Sequence, residues 1–416
     1  MTQDGNQAAR ETAENVARRS YGKLVAFLSA QNGDVTRAED ALSESFAAAL
    51  NHWPVHGIPA RPEAWLMAVA KRKIIDMARR RKSSNAAADH LKLLADEMET
   101  ERTTDIPDDR LALMFACAHP AIDGAIRAPL ILQTLLGFDA ATIASAFLVS
   151  PAAMGQRLAR AKNKIREAGI AFRVPERADM PERLDAVLAA IYAAFAQGWS
   201  DSTGAEIDRG NLAQEAIWLG RLVTSLLPDE AEALGLLALM LHSDARRAAR
   251  RGAKGEYVPL AEQNPLLWDA KSIKEAEALL FQAARFRTPG RYQLEAAVQS
   301  AHAVRRLTGR TDWNAIAKIY EALVAVCPSP VVAINRAVAI AETRGAAAGL
   351  EALSELVDDG RLENYQPFWA ARAALLARSG NTDAASDAYE RAIGLERDPA
   401  VRAFLQQRKL ALSPSS

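Results

Sequence analysis

Apolar residues recur at intervals of three and four positions along almost the whole chain, and this spacing limits the possible fold more than any other sequence feature. The segment RLDAVLAAIYAAFA at 183–196 is an example, because its apolar side chains would form a stripe along one side of a helix. No stretch of alternating β-branched residues bounded by hairpin turns competes with this pattern. The sequence therefore predicts an all-α fold.

Bulk composition excludes several classes of protein. Lys plus Arg and Asp plus Glu both number 51, so the net charge favours neither a nucleic-acid nor a membrane partner. The two cysteines, Cys117 and Cys327, cannot build a disulfide framework, which fits a reducing compartment. The initial segment MTQDGNQAARETAENVARR lacks the apolar core of a signal peptide, and no apolar run approaches the roughly 20 residues of a membrane span. We expect a cytoplasmic protein without a membrane partner.

Local charge divides the chain into four parts. Residues 1–82 carry 13 Lys/Arg against 9 Asp/Glu, and residues 108–173 carry 8 against 5, so both parts are basic. Between them, residues 83–107 are strongly acidic and end in a proline, which indicates a linker that is at most partly helical. We expect a first domain at 1–82, a linker at 83–107, a second domain at 108–173 and a long helical domain at 180–416.

The last part of the chain contains a repeat signal. Large and small residues around Gly380 are spaced as in a tetratricopeptide helix pair, whose repeat is about 34 residues long. They are Trp369, Ala373, Leu376, Gly380, Ala385, Tyr389 and Ala392. Gly345 lies 35 residues before Gly380, whereas the apolar pattern between 180 and 310 has no clear period. The sequence therefore predicts a tetratricopeptide-like array of stacked helix pairs, whose concave surface would suit a peptide or another domain.

Residues 129–167 have the plan of a helix-turn-helix. The apolar helix APLILQTLLG ends at Gly137, and DAATIASAFL begins at an Asp that can cap the next helix. Ser150 and Pro151 then provide the cap and first position of a third helix.

The third helix has one apolar and one polar side. Met154, Leu158, Ala161 and Ile165 are spaced by 4, 3 and 4 positions, which predicts a single buried stripe. The opposite side shows Ala152, Gly155, Gln156, Arg157, Arg160, Asn163 and Lys164. Small residues near its N-terminus permit close approach to a major groove, where glutamine and arginine side chains recognise base edges and lysines bind phosphates. A helical hairpin with a solvated basic face is the alternative interpretation.

The first part of the chain contains two amphipathic helices. In RAEDALSESFAAALNHWP, we expect an inner face of Ala38, Leu42, Phe46 and Ala49. The outer face would display Arg37, Glu39, Asp40 and Glu44. The segment WPVHGIPARPEAW should form a loop, because its prolines and Gly57 prevent a regular helix.

A basic helix follows this loop, with a dense positive surface from Lys71 to Lys82. Trp53, His56, Arg61 and Trp65 place aromatic and cationic groups beside that surface, a combination that suits unstacked bases and single-stranded backbone. Each tryptophan has the alternative role of filling a core.

Three segments resemble, in the right order, the motifs of extracytoplasmic-function sigma factors of bacterial RNA polymerase. GDVTRAEDALSESFAAAL at 33–50 is similar to the family's GD-x-x-x-AEDA-x-QE-x-F helix. WLMAVAKRKIIDMARR at 65–80 is similar to its promoter helix, and TIASAFLVSPAAMGQRLARAKNKIR at 142–166 is similar to its fourth-region helix-turn-helix. Segments 215–250, 311–323 and 329–342 resemble the tetratricopeptide-like extension of one subgroup.

The resemblance implies two small helical sigma domains, region 2 at 1–82 and region 4 at 108–173, followed by a tetratricopeptide-like regulatory domain at 180–416. It implies that Asp34, Arg37, Asp40 and Glu44 bind the β′ clamp helices of the polymerase core. The −10 element would be bound by Trp53, His56, Arg61, Lys71, Arg72, Lys73, Arg79 and Arg80. The −35 element would be bound by Ala152, Gln156, Arg157, Arg160 and Lys164.

The implied partners are the polymerase core, through its β′ clamp helices and β flap, promoter DNA, and the chain's own C-terminal domain through an intramolecular contact. The implied function is promoter-specific initiation of transcription, regulated by the fused C-terminal domain. This chain departs from the family at Arg72, where Asn is common, and at Gly155, where a longer side chain or Ala is common.

An enzyme and a scaffold are the two alternatives to this function. An enzyme is not expected, because the six histidines are scattered and no phosphate-binding glycine motif or serine nucleophile motif occurs. Cys117 and His119 lack a second pair of metal ligands, so we expect neither a metal nor a cofactor. The remaining alternative is a helical-repeat scaffold with a helix-turn-helix module that does not act as a sigma factor.

Overall fold

Helices make up nearly all of the regular structure. The computed structural model describes residues 3–81, 108–147, 149–176, 178–199, 206–357 and 359–412. These residues form α-helices and short 3-10 turns without a β-strand, and an isolated antiparallel bridge joins Arg251 to Tyr257. The predicted all-α fold is confirmed. The expected linker at 83–107 lies outside the described residues.

The chain divides into two compact units, Met1–Ala194 and Phe195–Ser416. The helices that begin in the first unit are α1 (Gln3–Asn32), α2 (Val35–His56), α3 (Pro62–Arg81), α4 (Arg110–Cys117), α5 (Gly124–Leu136), α6 (Ala140–Ala146), α7 (Pro151–Glu167) and α8 (Met180–Trp199). Helix α1 packs against α2 and α3, and it also contacts α4 and α5. The N-terminal helices and the helix-turn-helix therefore form one packed body.

Capping residues define the helix-turn-helix as the sequence predicts. Gly137 ends α5 in the left-handed conformation with φ 67°, and Asp139 accepts a hydrogen bond from the Thr142 backbone at 2.7 Å. Ser150 caps α7 by accepting from the Ala153 backbone at 3.3 Å. The stripe of α7 predicted to be buried is confirmed. Its members are Met154, Leu158, Ala161 and Ile165.

The loop predicted from Trp53 to Trp65 is wrong in its extent. Helix α2 continues through Pro54 and ends at His56, where the Gly57 backbone at φ 87° donates to the Trp53 carbonyl oxygen at 2.9 Å. A proline lacks only one donor, and Trp53 anchors this last turn because its side chain is buried. The irregular segment is therefore confined to residues 57–61.

The second unit continues the helical pattern. Its helices are α9 (Glu206–Leu226), α10 (Ala231–Asp244), α11 (Ala270–Ala284), α12 (Arg291–Ala303), α13 (Arg305–Thr308), α14 (Trp313–Val326), α15 (Pro330–Arg344), α16 (Ala346–Ser354), α17 (Gln366–Arg378), α18 (Thr382–Leu395) and α19 (Pro399–Leu410). Helices α17 and α18 pack as a hairpin around Gly380, which has φ 80°. The predicted small and large positions share its core. They are Ala373, Leu376, Ala385, Tyr389 and Ala392, with Trp369 packed against them.

A close helix contact in this unit yields a stability prediction. A Cβ atom on Gly235 of α10 would lie 2.6 Å from the backbone nitrogen of Gln293 in α12. We expect Gly235→Ala to lower the free energy of unfolding by about 1–3 kcal/mol, because overpacking against backbone forces the helices apart. Gly394→Ala is the control, since nothing lies within 4 Å of its added Cβ. Urea titration of both variants would test this, and equal stability of the two would contradict it.

Candidate nucleic-acid interface

The polar face of α7 is open to solvent. Ala152, Gln156, Arg157, Arg160 and Lys164 are all exposed, as the sequence predicts. Arg160 Nε donates to the Gln156 carbonyl oxygen at 3.4 Å, and this contact holds the guanidinium along the helix. Glu167 at the last position is the sole acidic residue of α7. The helix therefore presents a cationic face with small residues at its N-terminal end.

The N-terminal end of α2 is less exposed than its sequence suggests. Asp34 caps this helix by accepting from the Arg37 backbone at 3.2 Å, and its side chain is only 4% exposed. Arg37 Nε lies 3.2 Å from Asp34 Oδ2 and is partly covered. Asp34 and Arg37 are thus used within the fold, where they stabilise the start of α2.

The middle of α2 carries the accessible carboxylates. Asp40 and Glu44 are exposed one helical turn apart, so they share a face. Lys73 of α3 lies 2.9 Å from Glu44, with both side chains about half exposed. An exposed pair of this kind contributes little to stability, so Glu44 can exchange Lys73 for another cation.

Aromatic side chains join the end of α2 to the start of α3. Trp53 is 2% exposed and packs edge-on against Trp65, with ring centroids 5.6 Å apart. The Trp53 ring is therefore covered in this structure, and its place in the −10 set stays a prediction. His56 lies outside, where it stacks on His52 at 4.1 Å, and Arg61 is exposed nearby in sequence.

The basic side chains of α3 that the structure describes have different surroundings. Lys71 lies over the Phe27 ring at 5.2 Å, whereas Arg72 is exposed. Lys73 is the partner of Glu44. The backbone of α3 includes Arg79 and Arg80, but their side chains lie outside the described residues. The candidate −10 surface thus consists of the exposed residues around the 57–61 segment and one side of α3.

Two basic residues of α7 have a role that the sequence analysis missed. Lys162 Nζ donates to Glu39 Oε2 of α2 at 2.6 Å, and the Arg166 guanidinium lies 3.8 Å from Asp34 Oδ2. The prediction that Glu39 lies on the outside of α2 is therefore wrong, because α7 covers it. The sequence contained a signal for this contact, because Lys162 lies beside the buried stripe, between Leu158 and Ile165, where a neighbouring helix can reach it.

Burial controls the protonation of groups near this contact. The pKa of Glu39 is raised because desolvation outweighs the attraction of Lys162. Burial also raises the pKa of the Cys117 thiol to about 12, so this thiol is unreactive. Among the described residues, no group of three or more His, Cys, Asp or Glu side chains is arranged to hold a metal ion. None of the described helices has the length and apolarity to cross a membrane.

Comparison with known proteins matches two parts of the chain to families. Residues 16–84, which include most of α1 and all of α2 and α3, match the sigma-70 region 2 family. Residues 183–284 match DUF6596, a family of unknown function. The chain is 38% identical over 388 residues to an uncharacterized protein of Rhizobium meliloti (strain 1021), with 91% of each chain covered. No solved structure matches the chain.

The sigma-70 region 2 match confirms the resemblance on the two segments that it contains, 33–50 and 65–80. The region 2 match contains the acidic helix α2 and the basic helix α3, and it supports a sigma-factor role. The chain therefore carries a sigma-70 region 2 domain near its N-terminus and a DUF6596 domain after it, an arrangement consistent with an extracytoplasmic-function sigma factor that has a C-terminal extension.

Proposed function

We propose that this protein is an RNA polymerase sigma factor that directs promoter-specific initiation in the cytoplasm. The observation that carries the proposal is the region 2 match at 16–84 in the same packed unit as a helix-turn-helix with an exposed cationic face. A scaffold needs no such pairing, whereas a sigma factor must bind polymerase and DNA together. This function requires no catalytic residue, metal or cofactor.

Helix α2 is the proposed polymerase-docking element. Asp40 and Glu44 are the first contacts for the β′ clamp helices, because their carboxylates are exposed on one face. Asp34 and Arg37 hold the start of the same helix in shape. A partner with cations facing α2 would be attracted by charge complementarity, which speeds association and selects the partner.

The −10 surface is proposed around the 57–61 segment and α3. His56, Arg61 and Arg72 are exposed there, and Lys71 and Lys73 lie beside them on α3. Positive charge of this density favours the DNA backbone through counterion release. The buried Trp53 supports this surface from the core through its contact with Trp65.

The −35 surface is proposed on α7. Gln156, Arg157 and Arg160 are exposed where the third helix of a helix-turn-helix faces base edges, and Lys164 lies one turn further along toward the phosphates. The small Ala152 permits the N-terminal turn to approach the groove. The β flap is the proposed polymerase partner of this second domain.

A substitution on α7 separates base recognition from phosphate contact. Replacing Arg157 or Arg160 by Ala should cost about 1–3 kcal/mol and relax the preference at one −35 position if that arginine binds a base edge. A phosphate contact would instead weaken binding to all sequences alike. Titration on a promoter and its single-base variants distinguishes these cases. Unchanged binding for both variants would refute the assignment of α7 as the recognition helix.

The domain at 180–416 is proposed to regulate the sigma domains through an intramolecular contact. Support comes from its architecture, since packed helix pairs such as α17 and α18 form the kind of extended surface that binds peptides or domains. Tethering raises the effective concentration of such a surface, so weak contacts suffice. We assign it a tetratricopeptide-like character on the spacing around Gly380.

Genome-wide mapping of the bound chain, combined with co-elution of purified chain and core polymerase, tests the proposed function. We expect the chain to elute with core polymerase and to map to sites upstream of transcription starts. A scaffold would bind neither. Absence of the chain from the core-polymerase fraction would reject the sigma-factor assignment.

A further inference from the structure

The acidic start of α2 is covered by the recognition helix α7 of the same unit. Lys162 and Glu39, which form the 2.6 Å contact, have side chains only 11% and 15% exposed. Arg166 approaches Asp34 from the same side of α7. Two cations of α7 therefore face two carboxylates at the start of α2, on a side of α7 that lies away from Arg157 and Arg160.

This contact leaves part of its polar surface unsatisfied. Glu39 Oε1 is buried and accepts no hydrogen bond, and Asp34 Oδ2 has only its ion-pair contacts with Arg37 and Arg166. A buried ion pair stabilises a fold only when its remaining oxygens are satisfied, because desolvation otherwise offsets the attraction. The desolvation of Glu39 Oε1 opposes the attraction of Lys162 and so weakens the contact.

The backbones of α1 and α5 also meet closely. A Cβ atom on Gly22 of α1 would lie 2.3 Å from the Leu135 carbonyl oxygen of α5. Since a backbone oxygen cannot move aside as a side chain does, this approach requires glycine. The Tyr21 ring packs beside Gly137, where an added Cβ would lie 3.4 Å from it. The packing of the N-terminal helices against the helix-turn-helix thus depends on Gly22 as well as on the ion pairs between α2 and α7.

We propose that the acidic start of α2 is a docking surface with two mutually exclusive partners: helix α7 in the free protein and the cationic docking surface of core polymerase in the holoenzyme. Departure of α7 exposes Glu39 and Asp34, which then extend the exposed pair Asp40 and Glu44 into one acidic strip. The inference rests on the proposed function. In the closed form, α7 covers the acidic start of α2 and therefore restrains polymerase binding. The face of α7 proposed to contact DNA stays exposed, so DNA recognition is not restrained.

The first test measures closure in the absence of polymerase. Spin labels at Ser43→Cys and Ala159→Cys, exposed on α2 and α7, report the distance between these helices in a full-length chain that carries Cys327→Ser. Cys117 is buried and stays unlabelled. We expect mostly one short distance in the parent protein, with about a tenth of the molecules at a longer distance, and mostly the longer distance after Lys162→Met, because Glu39 is then buried without its cation.

The second test measures affinity for core polymerase with unlabelled full-length chains. Lys162→Met should raise this affinity about tenfold, the factor expected when the binding-competent form rises from about a tenth of the molecules to nearly all. Gly22→Ala should act in the same direction without any change of charge, because the added methyl forces α1 from α5. Arg173→Met and Gly124→Ala are matched controls, since Arg173 is exposed and the Gly124 position has open space around it.

The outcomes separate the two proposals. Longer distances with stronger core binding in both variants, and neither effect in the controls, support mutual exclusion. If the distances lengthen while the affinity for core polymerase stays that of the parent, mutual exclusion is wrong and the sigma-factor function stands. Unchanged distances after both substitutions also overturn it. A parent chain that does not bind core polymerase at all rejects the proposed function and this inference with it.

Discussion

Reversing two charges on α2 is expected to abolish the transcription that core polymerase initiates with this protein. In the double variant Asp40→Arg with Glu44→Arg, two exposed carboxylates on the proposed docking face become cations. Like-charge contacts across an interface cost several kcal/mol, so affinity for core polymerase should fall about 100-fold or more. The measurement is a titration of labelled core polymerase with the folded variant.

A matched double reversal controls for charge alone. Asp383 and Asp387 are exposed one turn apart on α18, so Asp383→Arg with Asp387→Arg makes the same charge change in the other unit. We expect this control to keep the parent affinity. Thermal unfolding should show that both variants fold, since none of these side chains is buried. Parent affinity in the α2 double variant would contradict the assignment of this helix as the docking surface.

Removal of the C-terminal domain is expected to lower promoter-specific transcription several-fold. The cut belongs after Trp199, because the first unit includes the start of α8: Glu182 binds Arg127 at 2.7 Å, and Leu184 and Val187 are buried. The physical reason for the loss is that a tethered helical array acts at high effective concentration on the sigma domains. Transcription by the full chain and by residues 1–199 should be compared at equal folded concentration.

A second truncation separates regulation from loss of folding. A chain that ends at residue 178 lacks the whole of α8 and leaves Arg127 without Glu182, so we expect it to be less stable than residues 1–199. Increased transcription by residues 1–199 would reverse the expected sign and indicate release of inhibition. Equal transcription and equal affinity for core polymerase would reject a regulatory role of the domain.

Local features of the fold were predictable from the sequence because short-range physics determines them. The stripe of α7, the cap at Asp139 and the stop at Gly137 each depend on neighbours within about one helical turn. The same is true of the hairpin around Gly380, whose small and large positions interlock in one helix pair. Each of these predictions is confirmed.

Features that depend on distant partners were missed. Glu39 and Lys162 are 123 positions apart, and periodicity shows which side of a helix is buried but not what covers it. The contact of Gly22 with Leu135 is equally invisible, since a glycine inside a helix carries no apolar signal. The predicted end of α2 is wrong because Pro54 favours a loop in the sequence, whereas the buried Trp53 holds the last helical turn in place.

Transcription by reconstituted holoenzyme tests the central claim most directly. Purified full-length chain is added to core polymerase with a DNA template that carries a promoter found by genome-wide mapping, and the transcripts are measured. We predict a transcript with one defined start that requires the chain and disappears with Asp40→Arg and Glu44→Arg. Core polymerase that gives the same transcripts with and without the chain would contradict the claim that this protein is a sigma factor.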